Sequence, residues 1–311
     1  MIKTVRNAIL TLFAMVAAYS CGGGSDSHVA DEEEIRLLKI GRIDSVSIPS
    51  VIYPDSIRGA ETLASLTAEA WILIDDGTGC LIAEKNADKR MYMASLTKMM
   101  TCLLALERGR MDDSIYITED VFISRDSRVR LGQGYLLADL IDEMMLTSDN
   151  DAAFAIAKHL GGSVDSFSRM MNEKAAYLGM EGTHFANPNG TPNDSNYSTA
   201  RDLARLTRYA MCDSAFASIV GTAEKRVPLL DGRHMDCQNT NMLLKTYKGC
   251  IGVKTGFTRQ AGNCLASAAT RDDTTLILIL LNSRTMNSRF TESASLLDYG
   301  FRVMKAFRSS K

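Results

Sequence analysis

Three short runs in this chain bring reactive side chains close together: Ser95-Leu96-Thr97-Lys98, Ser148-Asp149-Asn150 and Lys254-Thr255-Gly256. A serine hydroxyl is a poor nucleophile until an adjacent base takes its proton. Lys98 lies three residues beyond Ser95, on the same face of a helix. An amine serves as that base only when neutral, and burial and a second cation such as Lys254 both push it that way. At the start of a helix the Ser95 hydroxyl would also sit near unsatisfied N–H groups and the positive end of the dipole. Ser148 and Asn150, two apart on a turn, can both face a cleft. Ser148 could relay a proton between Lys98 and a leaving nitrogen, and Asn150 could hold a backbone amide. Lys254 and Thr255 offer a cation and a hydroxyl to a carboxylate. Gly256 has no side chain to keep backbone and ligand apart.

Each run is weak evidence alone. Ser-x-x-Lys arises about once in a chain of this length, and Lys-Thr-Gly in roughly one chain in ten. Ser-Asp-Asn reads equally well as a helix N-cap. All three in this order form a specific signal for a serine acyl-transfer site.

The elements that must carry these runs can be read from the pattern. Ala70–Ile74 and Cys80–Ala83 flank Asp75-Asp76-Gly77-Thr78-Gly79 as a β-hairpin. A helix is expected from Ser95 to Arg108, closed by Gly109. Further helices are expected over 135–146, 151–160, 164–178 and 199–211, the last capped by Thr199 with Asp202 at its third position. Residues 185–192, Phe-Ala-Asn-Pro-Asn-Gly-Thr-Pro, have strong loop chemistry. Strands return at 251–255, 264–269 and 275–281, and a helix over 291–306 closes the chain. Two strands first, helices in the middle and three strands last describe an α+β fold. It has an antiparallel sheet of about five strands, flanking helices and a mostly helical insertion.

The chain ends and composition narrow the setting. Lys3 and Arg6 precede an apolar stretch from Ala8 to Ala18, the layout of a secretory signal peptide over residues 1–20. Cys21 follows, where its thiol would take a lipid, as in a bacterial lipobox. Residues 21–65 then read as a tether and extended linker, and 66–311 as the catalytic domain. A net charge of −2 offers no footprint for nucleic acid. With no CxxC or HExxH and four scattered histidines, no metal site is expected. Six further cysteines, Cys80, Cys102, Cys212, Cys237, Cys250 and Cys264, permit disulfides in an exported chain but fix no pairing.

From about Ala70 to Phe307 the chain resembles the low-molecular-mass penicillin-binding proteins that act as serine-type D-alanyl-D-alanine carboxypeptidases. Besides the three runs, the resemblance rests on Asn86–Arg90, Asn150–Ala153, Met171–Ala175, Thr183–Gly190 and Leu296–Phe301. It implies a β-lactamase/transpeptidase-like fold with no cofactor. Peptidoglycan stem peptides would be the substrate and β-lactams covalent inhibitors, with the lipid at Cys21 as the link to the membrane. It implies Ser95 as nucleophile, Lys98 as proton acceptor and Ser148 as third catalytic residue, supported by Asn150. Lys254 and Thr255 would receive the substrate carboxylate, and the N–H groups of Ser95 and Phe257 would form the oxyanion hole. Two positions depart from the pattern: Phe257 stands where His or Tyr is common, and Asp149 where carboxypeptidases often have Gly. Three rivals share the fold: a DD-endopeptidase, a class A-like β-lactamase and a non-catalytic penicillin-binding sensor. The β-lactamase needs a deacylating Glu in a Glu-x-x-Leu-Asn context, and Glu173, Glu181 and Glu224 have none.

Overall fold

The computed structural model describes residues 65–309 apart from 123, 125 and 126, together with Leu63 and the short strands His28–Val29 and Val51–Ile52. The signal peptide and Cys21 lie outside the described residues. Within the segment read as a tether, the two short strands pair in parallel with each other, and Ile52 pairs with Leu81.

The body of the fold is one antiparallel sheet. Its strands are β1 (Ala70–Asp75), β2 (Leu81–Lys85), β7 (Cys250–Thr258), β8 (Gly262–Arg271) and β9 (Thr274–Ser283). They lie in the order β2-β1-β9-β8-β7, so the two ends of the domain meet at the β1/β9 pairing. The five antiparallel strands are those the pattern implied. Alternation with period two sends side chains to both faces. Ile72, Ile74, Ile277 and Ile279 join the larger core on one face, while Trp71, Leu73, Leu276 and Leu278 join the smaller core on the other. Each such side chain contributes about 1.5–3 kcal/mol on leaving water. The closing helix, Met286–Ser309, covers the smaller core with Leu296, Leu297, Val303 and Phe307.

The other face is covered by the helical insertion. Its helices are α1 (Lys98–Arg108), α2 (Leu137–Thr147), α3 (Asn150–Gly161), α4 (Val164–Tyr177), α5 (Ala200–Ala210) and α6 (Ser214–Gly221). Thr199 caps α5 as expected, accepting from the Asp202 N–H at 3.0 Å. Two expectations are corrected. Residues 94–97 form a 3-10 turn, and the α-helix starts at Lys98, not Ser95. Tyr135 belongs to a short strand, β4 (Gly134–Leu136), paired with β3 (Ser114–Tyr116), so α2 starts at Leu137. A hairpin of β5 (Glu224–Pro228) and β6 (His234–Gln238) was not legible, because most of its side chains face solvent and give no apolar alternation. All six described cysteines are free thiols.

Candidate active site

The 3-10 turn matters for chemistry because side chains three apart eclipse in it. Ser95 and Lys98 are therefore stacked, with Lys98 Nζ 2.9 Å from Ser95 Oγ. Ala94, the residue before the serine, is held at φ 48°, in the left-handed region. Two glycines clamp this turn. A Cβ on Gly190 would lie 1.9 Å from the Ala94 carbonyl oxygen, and one on Gly256 would lie 3.1 Å from Ser95 N and Met93 O. The loop 187–190 and the strand β7 thus both touch the backbone that presents the serine, the first where a Cβ would clash outright and the second where a Cβ would be crowded.

Lys98 is fully buried. Its Nζ donates to Asn150 Oδ1 at 2.8 Å and to the Asn189 carbonyl at 2.8 Å. Burial takes its ammonium from 10.5 down to about 7, although Asp149 and Glu143 pull the other way. A neutral amine has two N–H donors and one lone pair. With both donors spent on Asn150 and Asn189, the lone pair is left for the Ser95 hydroxyl.

Ser148 ends α2 with φ 67°, a conformation that costs a non-glycine residue roughly 1–2 kcal/mol. It is half-buried, like Asn150 at the first position of α3. Asp149 between them is almost fully buried and caps α3, its carboxylate accepting from the Asp151 and Ala152 N–H groups. The same carboxylate accepts from Ser127 Oγ at 2.8 Å and Arg128 N at 2.5 Å. The departure at position 149 therefore has a physical role: it pins the 127–129 loop to the α2–α3 junction.

On β7, Lys254 is 1% exposed and Thr255 4%. Lys254 Nζ donates to the Thr255 carbonyl at 3.2 Å. Burial, with Lys98 and Arg289 nearby, holds its ammonium well below the usual lysine range. Thr255 and Thr240 hydroxyls share a hydrogen bond of 2.6 Å. Phe257 is 57% exposed, so its ring lies open to solvent at the end of this strand.

The structure thus brings Ser95, Lys98, Asn150 and the Lys254–Gly256 strand together, with Ser148 beside Asn150 at the junction. Sequence reasoning missed three participants. Asn189 supplies a carbonyl to Lys98; its loop was legible but its contact was not. Arg289, on the closing helix, is buried and donates to the Gly256 carbonyl at 3.2 Å, with Nε unbonded among the described residues. No motif announced it. Glu143, on α2, is fully buried; its Oε1 accepts from Thr147 Oγ1 at 2.6 Å, and its Oε2 has no partner among the described residues. Burial and then Asp149 push its carboxyl up to about 8.

The profile of the D-alanyl-D-alanine carboxypeptidase family, peptidase S11, matches residues 58–285. The chain belongs to this family. It is 34% identical over 261 residues to a D-alanyl-D-alanine carboxypeptidase of Streptomyces sp. K15, covering 78% of this chain and 90% of that one. It is 32% identical over 241 residues to the carboxypeptidase DacF of Bacillus subtilis, covering 75% of this chain but 62% of DacF. The chain thus spans under two thirds of that relative. The crystal structure of the Streptomyces K15 DD-transpeptidase superposes with a TM-score of 0.74 at 33% identity, covering 76% of this chain and 98% of that one. The fold is the transpeptidase/β-lactamase-like one that the resemblance implied.

Proposed function

We propose that this chain is a serine-type D-Ala-D-Ala carboxypeptidase of the cell envelope, removing the terminal D-alanine from peptidoglycan stem peptides through an acyl-enzyme on Ser95. The observation that carries the reading is the Lys98 amine. It is buried and depressed to about 7, with both donors occupied and its lone pair left for Ser95. Lys254, Thr255 and Arg289 supply hydroxyl and cationic groups for the substrate's terminal carboxylate. The Ser95 oxygen attacks the carbonyl carbon of the penultimate D-alanine as its proton passes to Lys98. The negative oxygen so formed is received by the N–H groups of Ser95 and Phe257. The C–N bond breaks, and the leaving nitrogen takes the proton from Lys98 through Ser148. Water then hydrolyses the ester and restores Ser95. Lys98 cycles between amine and ammonium, and no metal or cofactor takes part.

β-lactams carry a carboxylate and a reactive amide and would acylate Ser95 in the same way. Glu173 and Glu181 are exposed, and Glu224 is exposed and pairs with Lys245. With none of them as a deacylating base, the penicilloyl ester should persist. The signal peptide over residues 1–20 and a lipid on Cys21 would export the chain and tie it to a membrane. One observation favours a second reading: a relative from Pseudomonas aeruginosa, 29% identical over 263 residues, is named a D-alanyl-D-alanine endopeptidase. Incubation of the protein with a peptide ending D-Ala-D-Ala and with a cross-linked dimer separates the two. Free D-alanine from the first, lost in Ser95→Ala, supports the carboxypeptidase; cleavage of the dimer alone supports the endopeptidase.

A further inference from the structure

At the far end of the sheet a groove of about 500 Å³ lies between the β8–β9 turn and the last turns of the closing helix. Gly256 pairs with Cys264 on β8, and Arg271 closes that strand seven residues later. At about 3.3 Å per residue the groove lies roughly 23 Å from the serine turn. Its lining holds four cations, Arg271, Arg302, Lys305 and Arg308, against two carboxylates, Asp272 and Asp298.

Arg271 is rigidly built. Its guanidinium lies 4.5 Å from the Tyr247 ring and 4.7 Å from the Phe301 ring, donates to Asp298 at 2.8 Å and donates to the Lys248 carbonyl at 3.1 Å. Asp298 is further engaged by the Tyr247 hydroxyl at 2.8 Å. Arg308 donates to the Asp272 backbone carbonyl. Arg302, Lys305 and Arg308 are spaced by three and exposed, so they rise along one side of the helix. Cations in a last helical turn also answer the helix dipole. The dipole does not account for an arginine fixed between two rings on a neighbouring strand, nor for a groove between the two elements.

We propose that this groove binds a phosphate-bearing group. A planar guanidinium held in place, with exposed cations along one side of the neighbouring helix, suits tetrahedral oxyanions that accept several charge-assisted hydrogen bonds. The group could come from a phospholipid headgroup or from a free phosphate, since the chemistry recognised is the same. A headgroup bound here would leave the serine turn at the opposite end of the sheet, turned away from the membrane.

The test uses the purified full chain at low salt, carrying Cys21→Ser throughout so that no lipid there holds it to vesicles, with and without the triple substitution Arg302→Glu/Lys305→Glu/Arg308→Glu. All three positions are exposed, so a far-UV circular dichroism spectrum matching that of the unsubstituted chain reports that the fold of the variant is intact. One arm measures co-sedimentation with phosphatidylglycerol vesicles against phosphatidylcholine vesicles. The other measures inorganic phosphate binding through amide NMR shifts around Arg271. At about 1 kcal/mol per basic residue near an anionic surface, the variant should bind the anionic vesicles roughly 100-fold more weakly. Vesicle binding lost in the variant supports the proposal with a lipid source. Phosphate binding lost in the variant without vesicle binding supports it with a soluble source. No binding in either arm, or equal binding by the variant, overturns it. The inference does not rest on the peptidase reading.

Discussion

Replacing Lys98 with methionine gives the sharpest test of the protonation state on which the chemistry depends. In the unfolded chain the Lys98 side chain is an ammonium up to 10.5, whereas in the folded protein it loses its proton at about 7. At 1.36 kcal/mol per unit, burial costs the lysine about 5 kcal/mol of proton affinity. Between these limits the unfolded state binds one more proton than the folded state. Stability from this group therefore rises with pH, by about 1.4 kcal/mol per unit. Methionine has no proton to lose; removing the ammonium also lets Glu143 and Lys254, which its charge holds down, titrate higher in the variant, and that widens the difference in the same direction as pH rises. Because Lys98 is half-titrated at pH 7, the stability difference, wild type minus Lys98→Met, should rise by about 2 kcal/mol between pH 7 and pH 9. Loss of the contacts to Asn150 and Asn189 shifts the whole curve but not its slope, because neither partner titrates. Urea unfolding at pH 7, 8 and 9 measures the difference. Parallel curves would mean that Lys98 remains an ammonium in the folded protein, which would remove it as the base for Ser95.

Three further outcomes follow from the same geometry. Glu143→Gln should stabilise the protein by about 3 kcal/mol at pH 7. The carboxyl, held protonated up to about 8 against 4.5 when unfolded, loses stability as pH rises between those values, so the gain should vanish near pH 4.5 in urea unfolding. Asp149→Ala should cost roughly 2–4 kcal/mol by the same assay, since it removes a helix cap and leaves buried donors at Ser127 and Arg128 unpaired. Gly190→Ala must displace the Ala94 carbonyl, and a 1 Å shift of the serine turn should slow penicillin acylation by about 100-fold, read by stopped-flow labelling.

The strands that built the sheet were legible because β1 and β9 are buried on both faces and read as unbroken apolar runs. Ser95, Lys98 and Asn150 were legible because local spacing places them: one turn, or one helix start, carries each. What the sequence hid was long-range. Asn189 meets Lys98 across 91 residues through a backbone carbonyl, which no residue identity encodes. Arg289 reaches Gly256 from the closing helix only because the sheet brings the two ends of the domain together. Glu143 looks like an ordinary helical glutamate, and only tertiary burial makes it an acid. The shift of the helix start from Ser95 to Lys98 is a boundary effect, since a 3-10 turn commonly opens an α-helix and helix ends are the least sharply defined part of the element.

The central claim is that Ser95, activated by Lys98, forms an acyl-enzyme. Intact-mass analysis after incubation with benzylpenicillin tests it most directly, with the pH varied from 5 to 9. The wild-type chain should gain one penicilloyl group, mapped by digestion to the peptide containing Ser95. The labelling rate should fall about tenfold per pH unit below pH 7 as Lys98 takes up its proton. Ser95→Ala and Lys98→Met should gain none. An adduct that persists in Ser95→Ala, or a rate flat from pH 5 to 9, would contradict the account.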